Sequence, residues 1–163
     1  AQSTLAWKNA NTATAGADSV INGPQNTADM VADGNATVYP CAHFCNNLST
    51  GGQTDWYMPS KNELDVCYYN LKPTTGSNTT STGNNSYSVP QRNSNYTTGD
   101  PAQTSATIFR DSNSEAFDVA SYWSSTESGS NTTWDIYFGG GQSPNNNSKL
   151  NANACRAVRR VAV

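Results

Sequence analysis

The chain has 163 residues, a length that fits one domain. Asn, Thr and Ser supply 59 of them, charged residues only 13% and apolar residues only 35%, with a formal net charge of −3. Nine basic against twelve acidic residues leave no broad basic footprint for nucleic acid, and the four Trp and eight Tyr argue against a disordered chain.

No apolar run approaches the roughly 18 residues of a membrane span, so no membrane insertion is expected. The chain does not begin with Met and shows no signal peptide, so it reads as a processed chain or a piece of a longer one. Asn-x-Ser/Thr sequons occur at seven positions, close to what an Asn-rich composition produces by itself.

Residues 1–38 read as an N-terminal arm, or a first strand and loop. Leu5-Ala6-Trp7-Lys8 suits a short strand, and Asn22-Gly23-Pro24 reads as a strong turn. A first helix is expected from Pro40 to Leu48, where Cys41, Phe44, Cys45 and Leu48 repeat at i, i+3, i+4, i+7. The second helix has a clearer start. Ser60-Lys61-Asn62-Glu63 is a capping box, with the Ser hydroxyl accepting from the Glu63 N–H while the Glu63 carboxylate reaches back. Leu64, Cys67, Tyr68 and Leu71 form its apolar stripe, and Pro73 ends it.

Residues 74–105 are Ser/Thr/Asn/Gly-rich and too long for an ordinary connection, so they read as an insertion extending to about residue 119. Ala106–Arg110 reads as a short mixed strand. Ser121–Thr126 is a further strand. Trp134, Ile136 and Phe138 alternate with Asp135 and Tyr137 as a half-buried strand, broken by Gly139-Gly140-Gly141. Arg156–Val163 is expected to close the chain as a last strand. The expected core is Trp56, Leu64, Leu71, Trp123, Ile136 and Phe138.

The side chains that could carry chemistry are few. A single His43 cannot anchor a triad and reads as a solvated helix side chain. The carboxylates are scattered, Glu63 is occupied by the cap, and no calcium-loop spacing occurs. Cys41, Cys45, Cys67 and Cys155 contain no Cys-x-x-Cys pair. They suit either small buried core residues or a disulfide tying a helix to the last strand through Cys155, and the sequence leaves both open. Arg156, Arg159 and Arg160 read as strand-edge charge with one packed Arg. No cofactor or metal set is expected, and no catalytic residue can be named.

Asn131 to Asn153 carries the best signal for binding, since adaptable binding surfaces favour Tyr, Trp, Ser, Gly and Asn. Asp135 and Tyr137 should face away from the core side of their strand. The expected ligand site is therefore Asn131, Trp134, Asp135, Tyr137, Asn145, Asn146, Asn147, Lys149, Asn151 and Asn153. The insertion at 74–105 is the next candidate.

Several blocks resemble a known family. Gly51-Gly52-Gln53-Thr54-Asp55-Trp56-Tyr57-Met58-Pro59-Ser60 followed by Glu63-Leu64, the block Tyr122-Trp123-Ser124-Ser125-Thr126-Glu127, the stretch Trp134 to Gly139, and the closing Arg156-Ala157-Val158-Arg159 are similar to the DUF1566 family, which includes the C-terminal domain of the Legionella collagen-like adhesin. The resemblance covers about residues 39–72 and 120–163. It implies an α+β, C-type-lectin-like domain over residues 39–163, with two helices on a small, mostly antiparallel sheet and long loops on one side. It further implies a receptor- or ligand-binding module of a bacterial surface adhesin or phage tail fibre, placed at the cell surface or on a virion tail. Its partner would be a host cell-surface glycan or protein. Fibre-tip domains of this kind are commonly homotrimeric, so a homotrimer is the assembly implied. The alternative is an enzyme on the same fold, related to formylglycine-generating oxidases, although their paired active-site cysteines have no match here.

Overall fold

A computed structural model of the protein describes residues 1–161. Its class is α+β: five strands form one mixed sheet, with helices on both faces. The strands are β1 (Gln2–Ala6), β2 (Ser121–Gly129), β3 (Thr132–Tyr137), β4 (Asn147–Ser148) and β5 (Ala152–Arg156), in the order β1-β5-β2-β3-β4. Only the β2–β5 pairing is parallel, so the two ends of the chain lie side by side as β1 and β5.

Three α-helices form rather than two: α1 (Gly23–Asp33), α2 (Pro40–Asn46) and α3 (Lys61–Leu71). The extra one, α1, lies in the segment read as an arm. Pro24 there opens a helix instead of a turn, and the Asn22 side chain accepts from the Gln25 N–H as its N-cap. The helix was hidden because most of its buried face is polar: Asn26 and Thr27 are buried beside Met30. Asn26 bonds the Ser19 carbonyl at 2.7 Å and the Ser125 hydroxyl at 3.1 Å, and Thr27 bonds the Gly23 carbonyl at 2.7 Å. Satisfied in this way, they are buried without the cost of an orphaned polar group.

α2 follows its apolar stripe, burying Cys41 and Cys45 with Phe44 and Leu48 partly covered. His43 is half-buried, its ring Nε2 2.7 Å from the Gly34 carbonyl, rather than simply solvated. α3 starts with the expected capping box. The Ser60 N–H and hydroxyl both donate to Glu63 Oε2, at 2.9 and 2.7 Å. The same carboxylate also receives Gly23 N–H at 3.0 Å, Tyr57 hydroxyl at 2.8 Å and Arg160 Nε at 2.9 Å. One cap residue thus joins the starts of α1 and α3 to the C-terminal segment.

Successive residues of a strand point to opposite faces, and here both faces are covered. Tyr122, Ile136 and Ala154 pack with Leu64 and Tyr68 of α3, Phe117 and Phe138. Trp123 and Cys155 pack with Trp7, Met30 and Met58 beside Cys41 and Cys45 of α2. Of the expected core, Leu64, Trp123, Ile136 and Phe138 are buried, whereas Trp56 and Leu71 are only partly so, flanking the two clusters.

Two further expectations change. Ala106–Arg110 holds a 3-10 turn at Thr107–Phe109, not a strand. The final strand ends at Arg156, after which Val158 makes a single bridge to Tyr57. Ala162 and Val163 of the expected strand lie outside the described residues.

Much of the remainder is loop, and three buried lysines hold it. Lys8 donates to the Ala13 carbonyl at 2.9 Å and the Thr14 hydroxyl at 3.1 Å. Lys72 donates to the carbonyls of Gly76 and Pro101. Lys149 donates to the carbonyls of Thr12 and Ser130, both at 2.9 Å, and pairs with Glu127 at 2.8 Å. A buried ammonium needs such partners, and loop carbonyls need such donors.

Candidate functional site

The expected ligand residues do not form one face. Asp135 is 1% exposed, not a surface group. It pairs across the sheet with Trp123, on the side covered by α1 and α2, so its phase of β3 is covered at Asp135 and opens only at Tyr137, the strand's last residue. Burial pushes its carboxyl above the usual range, with the Ser121 hydroxyl and Asn147 side chain beside it as partial compensation. Neither carboxyl oxygen makes a well-formed hydrogen bond among the described residues. Lys149 is 0% exposed and fully committed to Glu127 and the loop carbonyls, so it is unavailable to a ligand. Asn153 is half-buried in β5 with its side-chain nitrogen covered.

Asn145, Asn146 and Asn151 are exposed around the edge strand β4, which contains Asn147. Asn131 joins them through its carbonyl, which accepts the Lys149 N–H at 3.1 Å. Tyr137 is 38% exposed and lies against Gly139, whose missing side chain leaves room for the ring. Trp134 is half-buried and stands on the opposite face of β3 from Asp135 and Tyr137.

Trp134 opens onto a groove of about 300 Å³ between the sheet and the insertion. One wall is Trp134 with Ser143. The other comes from Ser81, Thr82, Asn84 and Asn95, and Lys61 and Asp65 of α3 form the floor. Residues 142–144 are held along β3 by Tyr137 N–H to Gln142 carbonyl at 2.9 Å and Asp135 N–H to Pro144 carbonyl at 3.4 Å. The Ser143 hydroxyl between them is buried and has no hydrogen-bond partner among the described residues. The Lys61 ammonium lies 5.2 Å from the Trp134 ring centre, a cation–π distance. Burial, and then the nearby Arg92 charge, lower the Lys61 pKa.

The insertion wall is fixed by a second stripe of α3, which sequence reasoning missed. Asp65 accepts from Asn85 Nδ2 at 2.7 Å and also from Arg92 and the Tyr96 hydroxyl. Tyr68 donates to Asn78 Oδ1 at 2.6 Å, and Lys72 closes the insertion's other end. Arg92 stacks over Tyr69 at 4.3 Å. Gly83 at φ +110° passes directly under the Tyr96 ring, where any side chain would collide. The signal was present as Asp65, Tyr68, Tyr69 and Lys72 at i, i+3, i+4, i+7, a polar stripe that shares Tyr68 with the apolar one.

The groove is therefore aromatic and hydroxyl- and amide-lined, and its one carboxylate is already paired to Arg92. Such a surface can take a flat apolar ligand face on Trp134 while amides and hydroxyls bond its polar edge. A second groove, at Trp56 and of about 370 Å³, is lined by groups already engaged. There Asp55 holds Arg159 at 2.8 Å, Arg160 holds Glu63, and the Trp56 indole donates to the Gln53 carbonyl at 3.1 Å. Arg156 is likewise spent on Glu115 and the Ala116 carbonyl, both at 3.0 Å, over the Phe117 ring. All three arginines of the closing segment thus have protein partners.

The cysteine question is settled by a disulfide between Cys41 of α2 and Cys155 of β5, leaving Cys45 and Cys67 free.

The chain belongs to the Lcl C-terminal domain family, whose model matches residues 1–159. The match extends over the N-terminal segment and the insertion, beyond the blocks that first carried the resemblance to the Legionella collagen-like protein. It makes this an adhesin-related surface domain. No curated protein matches the chain, and no solved structure does.

Proposed function

We propose that the protein is a ligand-binding module, not an enzyme, and that it recognises a cell-surface glycan or protein in the groove between Trp134 and the insertion. The observation that carries this reading is the half-exposed Trp134 ring, which opens onto a groove of hydroxyls and amides whose one carboxylate is already paired to Arg92. An aromatic face set among hydroxyls, amides and the Lys61 ammonium is the pattern of a ligand site rather than of a solvated loop. A C-type-lectin-like arrangement is part of the proposal. It is supported by the antiparallel pairing of all but one strand pair and by the long insertion standing over one face.

The test is a glycan and cell-surface binding screen on the intact domain, followed by Trp134→Ala on any hit. Aromatic anchors carry much of a binding energy, so the variant is expected to lose at least about 2 kcal/mol, roughly thirtyfold in Kd. Tyr137→Ala and replacement of Asn145, Asn146, Asn147, Asn151 and Asn153 by Ser serve as contrasts and should leave affinity nearly unchanged. Binding that survives Trp134→Ala but falls with the contrasts would locate recognition on the β4 edge instead.

A further inference from the structure

Three of the four cysteines meet in the core between α2 and β5. Cys41 and Cys45 sit one turn apart on α2, so their side chains share one face of the helix, and Cys155 faces both. The disulfide joins Cys41 to Cys155 with their Cα atoms 6.0 Å apart. The unused Cys45 Sγ lies 3.5 Å from Cys155 Sγ. All three sulfurs fall within 4.8 Å of one another, and all three residues are 0% exposed. Cys67 packs against the other core cluster, on the far face of the sheet.

We infer that Cys155 has two interchangeable partners, and that the link between α2 and β5 is a site of internal thiol–disulfide exchange. In the exchange Cys45 gives up its proton and its sulfur attacks Cys155 Sγ. The Cys45–Cys155 bond forms, the Cys41–Cys155 bond breaks, and the electron pair leaves on Cys41, which takes up a proton. One disulfide is consumed and one is formed, so no outside oxidant or reductant is required. Either isomer ties the same helix to the same strand, one helical turn apart.

The surroundings say when this happens. Trp7, Met30, Tyr39, Met58 and Trp123 enclose the sulfurs, and burial pushes the Cys45 thiol well above its ordinary pKa. A thiolate is the attacking species, so the closed core is a slow medium for the reaction. The choice of partner is made while α2 is off the sheet, during folding or local opening, and the closed core then preserves it.

Disulfide mapping of the intact protein tests this. The protein is held in a glutathione redox buffer, quenched with acid, unfolded in excess N-ethylmaleimide to block every free thiol, and then digested without reduction by chymotrypsin, which cuts after Phe44 and so separates Cys41 from Cys45. Peptides carrying Cys41–Cys155 and Cys45–Cys155 are both expected. Cys41–Cys155 alone overturns the inference. A second arm counts thiols in Cys41→Ser, held in the same buffer with oxidised glutathione as the oxidant, by alkylation after unfolding without reductant. One free thiol, Cys67, is expected, because Cys45 takes over the link, whereas three free thiols overturn the inference. Should Cys41→Ser fail to fold, the map of the wild-type chain decides alone.

Discussion

Trp7 and Trp123 lock β1 to β2 across the strand that lies between them: the Trp7 indole donates to the Ser124 carbonyl at 2.8 Å, and the Trp123 indole donates to the Leu5 carbonyl at 2.9 Å. Each ring is buried and each satisfies its one polar atom on the other's strand or next to it. The pair therefore fastens the N-terminal strand to the middle of the sheet independently of the β1–β5 ladder.

Trp123→Ala should cost about 3–5 kcal/mol, the range for emptying a buried aromatic site. Trp123→Phe should cost less, keeping most of the packing and losing about 1 kcal/mol with the hydrogen bond to Leu5. Urea titration of both variants measures this, and a loss below about 1 kcal/mol for the alanine variant would remove Trp123 from the core.

Glu127→Gln leaves the Lys149 ammonium buried without its carboxylate. Breaking one side of a buried pair costs about 3–5 kcal/mol, here moderated by the carbonyls of Thr12 and Ser130 that continue to accept from Lys149. A stability change near zero in the same titration would show that those carbonyls alone hold the lysine.

Asp135 gives a pH signature. Burial raises its pKa, so the folded protein keeps a proton there at pH values where the unfolded chain has lost it. Stability from this group is full below the ordinary carboxyl range, about pH 4, and is lost as pH rises through the raised native value. Asp135→Asn removes that loss. The variant should melt higher than wild type near neutrality and keep little advantage at about pH 3, which a series of thermal melts resolves. A wild type that is the more stable near neutrality would mean the carboxylate is well compensated.

Ser143→Ala bears on folding rather than on binding. Removing a buried hydroxyl that has no partner should leave stability unchanged or raise it by up to about 1–3 kcal/mol. Ligand affinity, read by titration calorimetry on the hit from the screen, should stay nearly unchanged, because the hydroxyl is closed off from the groove. A variant that loses stability would show that the hydroxyl has a structural bond to protein.

Asp65→Asn should loosen the insertion more than the core. Arg92, Tyr96 and Asn85 all converge on that carboxylate, so amide exchange should quicken over residues 78–96 while β2 and β3 stay protected. Uniform exchange across the domain would show that the insertion folds as one unit with the sheet.

Where local pattern and burial agree, the sequence is a good guide. The box at Ser60 and Glu63, the stripe from Leu64 to Leu71 and the phase of Ile136 and Phe138 are local properties, and the structure carries them. α1 escaped because Asn26 and Thr27 occupy positions that a search for apolar periodicity skips. Strand alternation points Asp135 to a surface and the Asn-rich stretch does the same for Lys149, yet the other face of β3 is covered by α1 and α2 at Asp135, and a loop-rich chain needs buried donors such as Lys149 for its carbonyls. Trp134 was recognised, but the wall facing it comes from residues 81–95, and no spacing within β3 could reveal that neighbour. The disulfide was one of two open readings, because only the register of β5 against α2 brings Cys155 to Cys41.

The buried lysines have a consequence for how this domain can diverge. Lys8, Lys72 and Lys149 grip main-chain oxygens at positions 12, 13, 76, 101 and 130, and a carbonyl is the same whichever residue carries it. At those positions the anchors are blind to side chains, and of their loop hydrogen bonds only that from Lys8 to the Thr14 hydroxyl reads one. Residues at those five positions can therefore change while the anchor stays in place, whereas Asn78, Asn85, Arg92 and Tyr96 of the insertion hold through their own side chains and are not free to vary.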